Sequence, residues 1–325
     1  MTAIAQDDYG SAPEDVLRPA EIPRPAIGDG EVLVRVYAAS VDRGTWHLMA
    51  GLPYLMRLAG FGLRRPKAPN PGRSAAGRVE AVGKLVTEFE PGDEVYGTCD
   101  GSFAEYARAR PSRLAPKPAN LSFEQAAAVP VSGLAALQGV RDHSRVQAGQ
   151  KVLIVGASGG VGTFAVQIAK AFGAEVIGVS STAKVDLVRS VGADHVIDYT
   201  REHFADGQHR YDAILDFGGN RRLSHLRRAL TPRGRLVIVG GESGGRWLGG
   251  WDRPLRALLL SPLVSQTLGA LSSSENAADL KVLRDLIEAG KVTPVIDRTY
   301  PLREAAAAIW YVTDGHARGK VVITV

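Results

Sequence analysis

A short apolar strand, a glycine-rich turn and a helical pattern, in that order, constrain this chain more than any other feature. Residues 151–155 read Lys-Val-Leu-Ile-Val, a glycine-rich turn follows, and apolar residues then recur with helical spacing as far as Phe172. Glycines let a backbone turn sharply beside a pyrophosphate, and the N-terminus of the helix offers unpaired N–H groups to its charge. The pattern predicts a dinucleotide site, although such turns also close ordinary strand–helix connections. The predicted contacts are Gly156, Ser158, Gly159, Gly160, Val161 and Gly162.

Composition excludes several classes of protein. The chain has 325 residues, of which 45% are apolar and 22% charged, which is typical of a globular protein. Its one cysteine, Cys99, rules out an internal disulfide and a multi-cysteine zinc site. The N-terminus lacks the basic and apolar regions of a secretory signal, and no apolar run is long enough for a membrane span. We therefore predict a cytoplasmic protein. The basic residues behind the net charge of +5 are scattered, so nucleic-acid binding is not expected.

The order of elements predicts two domains. Short strands and turns occupy residues 31–124, and strands alternate with helices from about residue 125. Such alternation is typical of a doubly wound parallel sheet, so the fold class is α/β. Since the last part of the chain again resembles the first, we predict one domain inserted into another. The outer domain would comprise residues 1–124 and 269–325, and the inserted domain residues 125–268.

The end of the second predicted strand favours NADPH over NADH. NAD-binding proteins place Asp or Glu there to hold the ribose hydroxyls. Here Ser180, Ser181 and Lys184 occupy that segment, and Glu175 precedes the strand. Hydroxyls and a lysine suit a 2′-phosphate, although Lys184 also fits an ordinary solvated helix position. Further predicted contacts follow later strands, where they are equally compatible with plain turns: Gly218, Asn220, Gly240 and Gly241.

Several short motifs, in this order along the chain, resemble one known family. The chain is similar to the zinc-independent branch of the medium-chain dehydrogenase/reductase superfamily, which includes quinone oxidoreductases and enoyl reductases. The matching segments are 77–83, 91–97, 101–106, 126–130, the glycine turn, 192–199 and 319–322. The resemblance implies a GroES-like catalytic domain with an inserted Rossmann domain, and a homodimer. It also implies that Lys184 and Tyr199 clasp the 2′-phosphate of NADPH.

Two departures from the family concern the catalytic site. Zinc-dependent relatives carry an early cysteine ligand and a Gly-His-Glu motif, whereas residues 71–77 here contain no His-Glu pair. None of the seven histidines has a recognisable ligand spacing, so we predict that no metal is bound. Residues 41–43 read Val-Asp-Arg, where many zinc-free relatives have Val-Asn-Pro. Arg73 lies where the family usually has Gly-x-Asp.

The predicted activity is hydride transfer from NADPH to a quinone or an α,β-unsaturated carbonyl compound. In such substrates the conjugated carbonyl spreads the developing charge, so a hydrogen-bond donor suffices in place of a metal. We expect Tyr54 to be that donor or the proton source, Asp42 to position the nicotinamide or a water, and Ser132 to contact the nicotinamide amide. Tyr54 also fits an amphipathic wall residue, and Asp42 a turn or helix cap.

Two apolar stretches, residues 48–63 and 244–264, indicate an apolar substrate. The second stretch fits either a lid over the substrate or a dimer interface. Two other functions remain open. One is a metal-free NADP-dependent alcohol/ketone oxidoreductase. The other is a non-catalytic NADPH-binding redox sensor or interaction protein, which the unusual residues at 41–43 and 73 keep in consideration.

Overall fold

The computed structural model describes residues 1–58, 62–205, 209–219, 221–239, 245–247 and 249–325. It divides into two compact units. Unit 1 comprises Met1–Leu134, Glu275–Ala289 and Pro294–Val325, and unit 2 comprises Ala135–Ser274 and Gly290–Thr293. The junctions follow Leu134 and Ser274, whereas the sequence pattern predicts them after residues 124 and 268. A helix that spans Pro130–Gln138 carries the chain across the first junction, so no loop marks it.

Strands supply the framework of both units. In chain order they are β1 (Thr2–Gln6), β2 (Leu17–Glu21), β3 (Val32–Val41), β4 (Ser74–Val82), β5 (Glu94–Thr98), β6 (Tyr106–Ala109), β7 (Leu114–Pro116), β8 (Lys151–Val155), β9 (Glu175–Ser180), β10 (His195–Asp198), β11 (Tyr211–Asp216), β12 (Leu230–Ile238), β13 (Thr267–Ala270), β14 (Ile296–Pro301) and β15 (Lys320–Thr324).

Helices cover these strands. They are α1 (Pro13–Val16), α2 (Arg43–Ala50), α3 (Tyr54–Met56), α4 (Phe123–Ala127), α5 (Pro130–Gln138), α6 (Gly160–Ala171), α7 (Val185–Ser190), α8 (Leu223–Ala229), α9 (Asp252–Leu260), α10 (Ala277–Glu288) and α11 (Ala305–Thr313). Within the described ranges, no helix is long and apolar enough to cross a bilayer.

Unit 2 contains the predicted parallel sheet. Its strand order is β10-β9-β8-β11-β12-β13, with every neighbouring pair parallel. From β8 the chain builds outward first on one side and then on the other, so the order reverses between β8 and β11. In doubly wound sheets, ligands bind at the carboxyl ends of the strands beside such a switch point. The predicted α/β class is confirmed, and this edge is the part of unit 2 that positions a site.

Unit 1 is built on an antiparallel sheet with one parallel pair at its edge. The order is β14-β15-β3-β4-β5-β7, with β6 also paired to β3, while β1 and β2 form a separate hairpin. A core of fully buried residues, including Met49, Phe103, Ile309 and Val321, holds α2 and α11 against this sheet. The start of α2 is therefore fixed beside the end of β3.

Candidate active site

The glycine-rich turn presents the N-terminus of α6 at the carboxyl end of β8. Gly159 caps the helix, and among the described residues no side chain accepts a hydrogen bond from its first turn. The first N–H groups of a helix have no partner within the helix and carry its positive dipole end. Ser158, only 7% exposed, lies in the same turn. The turn therefore has the backbone geometry that the predicted dinucleotide site requires.

Two glycines of this turn are required by its packing. A Cβ on Gly162 would lie 2.1 Å from the carbonyl oxygen of Gly156. Gly156 itself has φ +80°, and its Cβ would lie 3.0 Å from the N atom of Gly218. At Gly159, by contrast, a Cβ would meet only the Gly156 oxygen, at 3.4 Å, which is ordinary contact. The protein's own packing thus leaves the approach at Gly159 open.

A second group of predicted residues converges beyond β9. Ser180 ends this strand, Ser181 precedes a short 3₁₀ segment, and Lys184 is the last residue of that segment. The N–H of Tyr199, just after β10, donates to the Ser180 carbonyl at 3.1 Å. The Tyr199 side chain is 46% exposed. The structure therefore brings the segments that carry the predicted 2′-phosphate contacts to one corner of unit 2.

The same corner contains two residues that the sequence patterns did not single out. Asp198 lies opposite Ser180 in the strand register and is 8% exposed. Its carboxylate accepts hydrogen bonds from the Thr182 and Thr200 hydroxyls. These bonds hold the pKa of Asp198 below its ordinary value, and the bond from Thr182 has the largest effect. The Arg221 guanidinium lies 5.4 Å from the centre of the Tyr199 ring. The corner thus contains a carboxylate, Asp198, that accepts hydrogen bonds from two hydroxyls, and a cation, Arg221, in addition to Lys184.

A buried ion pair holds the loop after β11. Asp216 is fully buried, accepts from the Gly219 N–H at 3.1 Å and pairs with Arg253 of α9. Arg253 also donates to the Gly219 carbonyl. This pair fixes the loop that contains Gly218, whose N atom faces Gly156. The predicted contacts Asn220, Gly240 and Gly241 lie outside the described residues.

In unit 1 a buried lysine holds Ser132. The Nζ of Lys320, which is 2% exposed, donates to Ser132 Oγ at 3.0 Å and to the Val41 carbonyl at 3.1 Å. Burial lowers the pKa of Lys320, and the negative charge of Asp42 opposes this shift. Because Ser132 accepts from Lys320, its own hydroxyl hydrogen remains available for donation. No sequence motif indicated this pair.

The two predicted catalytic residues lie at opposite ends of α2. Asp42 caps the helix: its carboxylate accepts from the Thr45 N–H at 3.0 Å within a reciprocal capping box. Tyr54 begins α3 after Gly51 ends α2, and the Arg57 guanidinium lies 4.8 Å from the centre of its ring. An eight-residue helix is about 12 Å long, so the described structure does not bring these side chains together.

A cavity of about 460 Å³ opens in unit 1 beside α2. Thr45, Leu48 and Met49 of α2 line it, together with Arg73 and Tyr106, whereas its described lining includes neither Asp42 nor Tyr54. Cys99, which precedes the lining residue Asp100, is fully buried. Burial raises the pKa of its thiol to about 12, so the thiol stays protonated. Over the described ranges, no three His, Cys, Asp or Glu side chains cluster in a way that suits a metal ion.

The chain matches known proteins along nearly its whole length. Residues 28–119 match the alcohol dehydrogenase GroES-like domain family, and residues 191–323 match the family described as zinc-binding dehydrogenase. The chain is 33% identical to 2-methylene-furan-3-one reductase of Solanum lycopersicum, over 99% of this chain and 79% of that protein. It is 32% identical to the chloroplastic NADPH-dependent alkenal/one oxidoreductase of Arabidopsis thaliana, with the same coverage.

A solved structure gives the same result. The quinone oxidoreductase from Coxiella burnetii superposes with a TM-score of 0.84 at 29% identity, covering 100% of this chain and 99% of that one. The chain therefore belongs to the medium-chain dehydrogenase/reductase superfamily, in the branch of the quinone oxidoreductases and enoyl reductases. It is an oxidoreductase with the GroES-like and Rossmann folds of that family, which confirms the resemblance seen in the sequence.

The glycine contacts predict a contrast between two alanine substitutions. Gly162→Ala forces a Cβ against the Gly156 carbonyl, so we expect about 1–3 kcal/mol of destabilisation, as for other overpacked sites. Gly159→Ala meets only ordinary contact and should unfold like the wild type, yet bind NADP⁺ less tightly because its methyl occupies the approach to the helix N-terminus. Urea unfolding and calorimetric titration measure the two effects. Equal unfolding midpoints for the two variants would contradict the packing argument.

Lys320 predicts a pH dependence of stability. The pKa of Lys320 in the folded state lies below the ordinary 10.5. At pH values between the folded-state pKa and 10.5, the unfolded chain therefore binds more protons than the folded chain. The free energy of unfolding should therefore increase as the pH is raised across that interval. It should decrease again when the pH is lowered and Lys320 becomes protonated in the folded state. Lys320→Met should flatten this rise, whereas Met at the exposed Lys281 should not. Unfolding midpoints measured from neutral to alkaline pH provide the test, and parallel profiles for wild type and Lys320→Met would refute it.

Proposed function

We propose that the chain is an NADPH-dependent reductase that transfers hydride to a quinone or an α,β-unsaturated carbonyl compound without a metal ion. The observation that carries this proposal is the corner beyond β9, where hydroxyls, Lys184 and Tyr199 follow the two strands next to β8 and its glycine-rich turn. The names of two relatives, an alkenal/one oxidoreductase and a furanone reductase, point to the same substrate class.

The residues of unit 2 fit a phosphorylated dinucleotide. The open helix N-terminus at Gly159 suits the pyrophosphate, since charge and N–H groups both favour an anion there. Ser180, Ser181, Lys184 and Tyr199 would hold the 2′-phosphate, and Arg221 would add a further cation. Asp198 accepts hydrogen bonds from two threonines, and the Arg201 guanidinium, 3.7 Å away, balances its negative charge.

Bound NADPH supplies a hydride for the electrophilic carbon of the substrate. On the protein side, Ser132 would donate its hydroxyl hydrogen to the carboxamide of the cofactor, because Lys320 already occupies an acceptor site of its oxygen. Asp42 would act indirectly by capping α2, the helix that lines the cavity. Tyr54 stays the predicted proton source although it lies outside the described lining of the cavity, and Leu48 would contact an apolar substrate.

The proposed absence of a metal rests on the side chains. The name of one matching family refers to zinc, but residue 73 is arginine, and position 42 carries an aspartate engaged in capping. A catalytic zinc ion needs three protein ligands at an open site. No suitable group of three occurs in the described parts of the chain.

We also propose a homodimer formed through unit 2. Leu255, Leu258, Leu259 and Leu263 are at least half exposed and lie on or just after α9, which packs beside β13. In the described structure β13 is the last strand of its sheet, and such an edge can pair with a second copy.

Leu259→Glu should therefore convert a dimer into a monomer, because the interface would bury an unpaired carboxylate. Glutamate at the exposed Val282 of unit 1 is the matched control and should leave the dimer intact. Light scattering coupled to gel filtration gives the mass. A monomeric wild type would refute the dimer.

The cofactor proposal predicts a switch in preference. Lys184→Ala removes a charge-assisted contact, so its KM for NADPH should rise about 10- to 100-fold while its KM for NADH stays unchanged. Alanine at Arg189, a 63% exposed cation on α7, is the control and should change neither. NADPH oxidation is followed by absorbance in EDTA, with 9,10-phenanthrenequinone or a medium-chain enone. NADPH binding without oxidation of either substrate, or activity lost to EDTA, would overturn the proposed function.

A further inference from the structure

Arg73 is fixed in place at the wall of the cavity beside α2, here called the α2 cavity. Its Nε donates to Glu275 Oε1 at 2.9 Å, and Nη2 donates to the second carboxylate oxygen. Glu275 also accepts from the Thr98 hydroxyl at 2.9 Å. A bidentate pair of this kind orients the planar guanidinium, which a single hydrogen bond would leave free to rotate.

Both members of this pair remain charged. Burial lowers the pKa of Arg73, but hydrogen bonds to Glu275 and the charge of its carboxylate raise it by more, so the pKa lies above its ordinary value. Burial raises the pKa of Glu275, and the Arg73 contacts outweigh this effect and bring that pKa below its ordinary value. Arg73 is therefore a permanent cation whose charge is balanced by its partner.

Nη1, the other terminal nitrogen of Arg73, does not donate to Glu275. Among the described residues, Nη1 has no hydrogen-bond acceptor, while the Arg73 side chain is 29% exposed and lines the α2 cavity. We propose that Arg73 is the electrophilic residue of this reductase: Nη1 donates to the carbonyl oxygen of a substrate in the α2 cavity. It thereby stabilises the negative charge that hydride addition places on this oxygen. The assignment rests on the proposed function.

The surroundings of Arg73 also define the substrate class. Glu275, Asp100 and Asp42 all act on Arg73 electrostatically, and Asp100 is itself paired with Arg113 at 3.3 Å and Arg108 at 3.8 Å, so the carboxylates around the cavity are matched by guanidiniums. A neutral carbonyl compound suits such a balanced site and acquires charge only as hydride arrives, on the oxygen that faces Arg73. Because the interaction strengthens in the transition state, it accelerates the reaction rather than merely binding the substrate. Leu48 lines the same cavity beside polar residues that include Asn70 and Asp100, so an apolar part of the substrate would lie against α2.

Arg73 is connected to the serine proposed to bind the nicotinamide. Ser74, the next residue, accepts at Oγ from the Val131 N–H at 3.3 Å, and Ser132 follows Val131. One hydrogen bond thus joins the backbone segments that carry Arg73 and Ser132. This link brings the proposed site for the carbonyl oxygen and the proposed contact for the hydride donor to the same part of unit 1.

Binding of 4-nitrophenol to the NADP⁺ complex tests this role without turnover, since the phenolate mimics an enolate and is coloured. In the wild type, we expect bound nitrophenol to have its apparent pKa lowered by about 1 unit or more. Arg73→Met should abolish that shift. Methionine at Arg78, which pairs with Glu94 at 2.9 Å and is outside the described lining of the cavity, should preserve it.

A double variant removes the ambiguity of misfolding. Arg73→Met leaves Arg113, 3.9 Å away, as the cation beside Glu275, so Arg73→Met/Glu275→Gln, which removes both charges of the pair, is also measured. It is compared with Glu275→Gln, which keeps the Arg73 charge but loses the bidentate contact and should retain part of the shift. In turnover, the double variant should lose about 10²–10³-fold in kcat for the enone with NADPH affinity unchanged. Arg73→Lys should recover part of this loss, because lysine restores the positive charge but not the bidentate geometry of the guanidinium.

The outcomes separate this assignment from the proposed function. No saturable nitrophenol binding, or an equal shift with and without Arg73, overturns the assignment of Arg73, even if NADPH-dependent turnover is observed. A shift that depends on Arg73 in a protein that oxidises no NADPH supports the oxyanion site and overturns the reductase.

Discussion

The close contact between Gly162 and the Gly156 carbonyl is the constraint on which the nucleotide-binding unit depends. Any side chain at Gly162 would push α6 away from β8, since the space to the carbonyl oxygen is already filled. With glycine there, the helix begins directly at the carboxyl end of its strand. The strands are parallel, so the ends of β9, β10 and β11 lie along the same edge. Ser180, Tyr199 and Gly218 thereby lie along the same edge of the sheet as the N-terminus of α6.

In unit 1, buried charges position the proposed catalytic groups. A buried lysine and a partly buried arginine both cost free energy of desolvation, and a well-packed apolar residue would avoid that cost. Lys320 donates a hydrogen bond to Ser132, and Arg73 donates to Glu275. In each case one donor is left for a ligand: the hydroxyl of Ser132 and the Nη1 of Arg73. The two arrangements explain how a site without a metal would bind a nicotinamide and a carbonyl oxygen.

Local sequence patterns predicted the parts of the molecule whose contacts are local. The glycine turn, the alternating strands and helices and the segment 180–184 are readable because their residues are neighbours in the chain. A turn or helix cap was the stated alternative for Asp42, and the structure shows the cap, with Thr45 completing the capping box three residues later. The ion pair of Arg73 with Glu275 spans 202 residues, and the bond from Lys320 to Ser132 spans 188. No short motif encodes such pairs, so only the folded chain reveals them.

The most direct test of the account follows a deuteride from labelled NADPH into an enone in the presence of EDTA. Transfer to an activated alkene without a metal predicts one deuterium at the β-carbon of a saturated ketone, detected by mass spectrometry and NMR. Deuterium at the carbonyl carbon of an alcohol product, or transfer that stops on chelation, would contradict the account.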